Sequence, residues 1–209
     1  PSLNDRFLEN CQLLGIPGKA ASWNHLLLNI RKRGALAAVD TSRRTLIRRD
    51  AMEPFMSACE IAWRKVSDEA QCSLDDILCD PLLASRFDKL AARIAPGFSP
   101  FQYRWAALSV RKDASLGNGL LDRIRAVLAP GAVKISEVSA LPARPGHYLI
   151  TATGTPLFVG FATSLRASPL LEPDRLGAAL QIMGHSVSNN RDIEIRTRLF
   201  DGNAVNVTG

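Results

Sequence analysis

The stretch PGHYLITATGTPLFVGFATSLRASP, residues 145–169, holds two short apolar runs on either side of a Gly-containing turn, then a polar segment with one arginine. HYLIT (147–151) and PLFVGFA (156–162) have strand length and β-branched and aromatic content, and ATGT between them is turn chemistry, so the stretch predicts a β-hairpin. Two further segments alternate in the same way. They are VKISEV (133–138) and IEIRTRLF (193–200), the latter with Ile193, Ile195, Thr197 and Leu199 on one face. After the hairpin, TSLRAS is a polar turn and PDRLGAALQIM (173–183) reads as a helix, so the expected order is strand, strand, helix, helix, strand.

Upstream of about residue 130 the apolar period is helical. One helix is expected to start at Trp23 with Ser22 as its cap and to stop at Gly34, with Arg31, Lys32 and Arg33 in a last turn favoured by the helix dipole. Phe55, Met56, Cys59, Ala62, Trp63 and Val66 mark a second. Asp80-Pro81 opens a third that runs to Ala95, Ser99-Pro100 opens FQYRWAALSVRK to about residue 113, and LLDRIRAVL ends before Pro130-Gly131. The fold class expected is α+β, with an all-α helical domain over residues 1–128 and a small α/β domain over 129–209.

The charge is uneven. Residues 1–126 hold 19 Lys/Arg against 14 Asp/Glu, whereas residues 127–209 hold 7 against 6. Within RKRGALAAVDTSRRTLIRR (31–49), Arg31, Lys32, Arg33, Arg43, Arg44, Arg48 and Arg49 face a single acid, Asp40. A run of that density attracts polyanions, which makes nucleic acid, DNA before RNA, the expected partner and these seven residues its expected contacts; a solvated face without a partner is the bland alternative.

Other chemistry is thinly represented. Cys11, Cys59, Cys72 and Cys79 match no zinc spacing and read as reduced thiols of a cytoplasmic protein, and no metal site is expected. No apolar run reaches the roughly 18 residues of a membrane span, so no membrane partner is expected. There is no secretory signal, and the chain begins with Pro1, as a processed, tagged or excised chain would. His25, His147 and His185 have no ligand spacing, and no Walker loop, dinucleotide fingerprint or nucleophile elbow occurs. Trp23, Trp63 and Trp105 fall on apolar stripes and read as core, while Phe98, Phe101 and Tyr103 cluster at a helix start as a candidate exposed surface.

Gly146-His147-Tyr148 in the first hairpin strand and Phe158-Val159-Gly160 in the second resemble the paired triplets of the GIY-YIG nuclease superfamily, and FATSLRASPL resembles its helix entry. The resemblance covers about residues 142–200 and implies the β-β-α-α-β module of that family. It implies that Tyr148 stands where a tyrosine orients or deprotonates the attacking water, that an arginine steadies the scissile phosphate, and that a glutamate holds one magnesium ion. Phe158 replaces the second tyrosine and has no hydroxyl. The family's arginine position falls on Ser168, with Arg166 two residues early, and neither Glu172 nor Glu194 matches the metal ligand.

The reading is therefore a nucleic-acid-binding protein with a catalytically degenerate GIY-YIG-like domain and no cofactor, of the kind found in restriction, repair or anti-phage defence. One alternative is an active Mg-dependent endonuclease using Tyr148 and Arg166. The other is an adaptor whose basic run contacts an acidic protein.

Overall fold

A computed structural model of the chain describes residues 5–35, 47–115, 132–185 and 193–199. Within them lie helices α1 (Asp5–Leu13), α2 (Ala20–Lys32), α3 (Arg49–Ala70), α4 (Leu74–Cys79), α5 (Pro81–Ile94) and α6 (Pro100–Ser115). Strands β1 (Ala132–Lys134), β2 (Gly146–Ala152) and β3 (Thr155–Ala162), helix α7 (Pro173–Ile182) and strand β4 (Ile193–Leu199) follow. The class is α+β, mostly helical, with one small antiparallel sheet. The expected helix over LLDRIRAVL and the boundary near residue 128 lie outside the described residues.

Local chemistry explains most of the helix starts. Ser73 and Asp76 form a reciprocal capping box at α4. The Asp80 carboxylate accepts from the Leu82 and Leu83 amides while Pro81 occupies the first turn of α5. Ser99 and Gln102 exchange hydrogen bonds at the start of α6. One start differs from expectation: α2 begins at Ala20 behind Lys19, not at a Ser22 cap. Gly18, at φ +129, turns the chain there, and the Trp23 indole N–H donates to the Pro17 carbonyl, which pulls Ser22 into the helix.

The four-stranded sheet has the order β1-β4-β2-β3, so the hairpin's second strand is an edge. Thr153 (φ +48) and Gly154 (φ +80) form its two-residue turn; both torsions are those of the primed turns that suit strand twist. Pro156 has no N–H to give and is tolerated because β3 is an edge strand. VKISEV is a strand only through Lys134, and Ile135–Ala140 is a 3-10 segment. The ladder runs out there, because Lys134 already pairs with Glu194, one residue from the start of β4. The first of the two helices expected after the hairpin is reduced to a 3-10 turn, Pro169–Leu171. Pro173 forces Glu172 into extended backbone, which separates that turn from α7.

Helix α3 is the centre of the molecule and packs on α5 and α6. Its Phe55, Cys59, Ala62 and Val66 recur at helical spacing and share one apolar cluster with Phe87, Ala91 and Ile94 of α5. That cluster continues without a break through Tyr148, Ile150, Phe158, Ile193 and Ile195 on the inner face of the sheet. Phe98 and Tyr103 belong with it: Tyr103 is 2% exposed and Phe98 stacks 4.2 Å from Phe55, so of the aromatics expected as a surface only Phe101 is exposed. All four cysteines are free thiols, and burial pushes those of Cys59 and Cys79 up, the latter to about 11. No helix among the described residues is long and apolar enough to cross a membrane.

A nearly buried ion pair ties α5 to α6. Arg104 of α6 grips Asp88 of α5 through two hydrogen bonds, of 3.2 and 2.7 Å, with both side chains nearly buried. Asp88→Ala leaves the guanidinium without its partner in that setting and is expected to lower unfolding stability by about 3 kcal/mol in urea denaturation.

Candidate functional site

Antiparallel pairing sets Tyr148 of β2 directly opposite Gly160 of β3. The tyrosine ring lies over the glycine so closely that a Cβ at 160 would fall among the ring and hydroxyl atoms. Gly160 is therefore required by contact, not by backbone torsion. The ring is fully buried, and its hydroxyl is 3.2 Å from the Ser57 Oγ of α3, with Ser168 at the same buried junction. Ser168 is itself 4% exposed. Burial pushes the Tyr148 phenol up to about 12 against the pull of these two hydroxyls, with Glu60 and Glu53 adding to the rise.

Polar ties from one short span of α3 reach both the sheet and α7. Besides Ser57, the Glu53 carboxylate accepts from the Thr163 amide at 2.8 Å and from its hydroxyl, and the Arg175 guanidinium of α7 donates to the Pro54 carbonyl at 2.8 Å. Above these ties a groove of about 310 Å³ opens between α3 and the edge strand. Its α3 wall carries Arg49, Asp50, Glu53, Ser57 and Glu60, and Val159, Gly160 and Phe161 lie across from them. Glu60 is engaged by Arg64 at 2.7 Å. Of its three carboxylates, Asp50 is paired with Arg48 and Glu60 with Arg64, which leaves Glu53 and Arg49 facing the same groove. Among the described residues no group of three or more His, Cys, Asp or Glu is placed to hold a metal ion.

The expected catalytic pair is placed differently by the fold. Tyr148 turns inward, and what meets its hydroxyl is Ser57 and Ser168; Arg166 is exposed, with its Nε donating to the Leu141 carbonyl at 2.8 Å. The expected basic contacts are also separated. Lys32, at the end of α2, pairs with Asp75 at 3.6 Å, just past the C-terminus of α3, while Arg48 and Arg49 sit at the α3 N-terminus. Twenty-two helical residues span about 33 Å, so the run 31–49 reaches opposite ends of one helix. Arg48 pairs with Asp50 at 2.9 Å, Arg31 and Arg33 are exposed, and Arg43 and Arg44 lie outside the described residues. Glu53, Ser57 and Glu60 were not singled out by the sequence, although their i, i+4, i+7 spacing puts them on one helix face.

Comparison with family models, curated proteins and solved structures returned no match.

The buried phenol has a consequence for stability against pH. Its folded pKa lies above the ordinary 10, so its contribution is complete below pH 10 and is lost as pH rises from about 10 toward about 12. Over that window the native protein should lose on the order of 1.4 kcal/mol per pH unit through this group. Tyr148→Phe is expected to start about 1 kcal/mol less stable at neutral pH and to show a shallower alkaline limb in urea melts at stepped pH.

Proposed function

We propose that this is a nucleic-acid-binding protein, with DNA preferred to RNA, whose C-terminal part is a GIY-YIG-like module without catalytic activity. One observation carries the reading. Position 168, where the family's arginine would stand, meets the hydroxyl of Tyr148, where its first tyrosine would stand, at a single buried point. Two positions 20 residues apart in the chain come together beside a hairpin that pairs Tyr148 with Gly160, one residue from each triplet.

The same point accounts for the loss of chemistry. A phenol with no exposed surface, held protonated at neutral pH, neither orients nor deprotonates a water molecule. Ser168 offers no positive charge to a phosphate, and Phe158 has no hydroxyl. The Glu53 carboxylate accepts from the amide and hydroxyl of Thr163. Helix α3 occupies the face a substrate would need, so binding falls to exposed arginines elsewhere, Arg31 and Arg33 among them.

Binding through phosphates releases counterions, so the affinity for duplex or single-stranded DNA should fall steeply between low and moderate salt in fluorescence anisotropy titrations. Plasmid incubated with magnesium or manganese should stay supercoiled with both the wild type and Tyr148→Phe. Salt-independent affinity or no binding at low salt contradicts the proposal, and nicking abolished by Tyr148→Phe establishes the active endonuclease instead.

A further inference from the structure

The outer face of the sheet carries a second basic surface, separate from the run at 31–49. Register places His147, Arg198 and Phe161 side by side across β2, β4 and β3. The loops before β2 and after β3 close against the same end. The Leu165 amide donates to the Arg144 carbonyl at 3.0 Å and the Arg166 amide to the Pro142 carbonyl at 3.2 Å. Gly146 permits the approach, because a Cβ there would lie 2.5 Å from the Arg198 carbonyl oxygen and 3.0 Å from Leu165. Arg144, Arg166 and Arg198 are all exposed at this end.

Beside these arginines lies an aromatic surface. Phe161 is 39% exposed and meets His147 edge-on, with ring centres 5.5 Å apart. The next row inward, Leu149 and Val159, is buried, so the open platform is a single row deep. On its other side Phe161 borders the groove between α3 and the edge strand. A polyanion on the arginine side meets exposed guanidinium groups beside one exposed aromatic ring. Arginines along a track with a ring beside it suit unstacked bases, whose π-faces are open; in a duplex those faces are covered.

We propose that this end of the sheet binds single-stranded nucleic acid, with phosphates on Arg144, Arg166 and Arg198 and one base stacked on Phe161. The assignment rests on the nucleic-acid-binding reading above and adds to it a place and a strand type.

Fluorescence anisotropy with labelled oligo-dT, and with a duplex of equal length, tests it. Phe161→Ala should weaken oligo-dT binding about tenfold and duplex binding less than twofold, and Phe161→Trp should restore the former. Arg198→Gln and Arg144→Gln should each flatten the salt dependence of oligo-dT binding by about 0.7 in the log–log slope. Should the alanine variant fail to melt cooperatively, Phe161→Leu keeps the apolar volume, removes the ring and should show the same selective loss. Wild-type affinity in the Phe161 and arginine variants, with the loss confined to Arg31→Gln and Arg33→Gln, overturns the site and leaves the broader reading standing. No binding of either probe by the wild type at low salt overturns both.

Discussion

The contact between Tyr148 and Gly160, continued to Ser57, holds the two kinds of structure in this chain together. Across the hairpin the missing side chain at 160 makes room for a tyrosine ring, and the ring carries its hydroxyl through the sheet to helix α3. Each partner limits the others. A methyl at 160 would displace the ring, loss of the ring would empty the space between sheet and helix, and Ser57 is the α3 side chain that bonds the hydroxyl. Glu53 and Pro54, about one turn from Ser57, add ties to Thr163 after β3 and to Arg175 of α7, so about 6 Å of helix reaches both the sheet and α7.

This arrangement sets what the surface can do. The inner face of the sheet is committed to packing, so it is closed to a nucleic-acid backbone. Positive charge gathers elsewhere, at the two ends of α3 and at the far end of the sheet. In the proposed reading, the place where a nuclease would do chemistry has become a joint between helices and sheet, and binding has moved to the periphery. The raised phenol pKa follows from this burial, whose desolvation outweighs the opposing pull of the neighbouring serine hydroxyls.

Much of the fold could be read from local sequence. The turn at Thr153-Gly154, the Asp80-Pro81 and Ser99-Pro100 starts and the alternation in IEIRTRLF are all short-range signals, and each element appears where those signals put it. Misreadings arose where a distant partner decided. VKISEV alternates throughout, yet it is a strand only while β4 runs beside it. Tyr103 looks like a surface aromatic beside Phe101 until α3 brings Phe55 against it. The site itself was legible only in part. Tyr148 and Ser168 were marked by the hairpin, but Ser57 lies 91 residues from Tyr148 and Glu53 lies 110 from Thr163, and no local pattern links them. The basic run looked continuous because its residues are close in sequence, and the length of α3 separates them in space.

The central claim is that Tyr148 is enclosed between sheet and α3 and is unavailable for chemistry. Nitration by tetranitromethane, which modifies accessible tyrosines through their phenolate form, reads this directly when followed by peptide mass mapping. The chain has two tyrosines, Tyr103 and Tyr148, both buried. The account predicts that neither is nitrated in the native protein near neutral pH and that both are nitrated after unfolding in urea. Ready nitration of Tyr148 in the folded protein would contradict it.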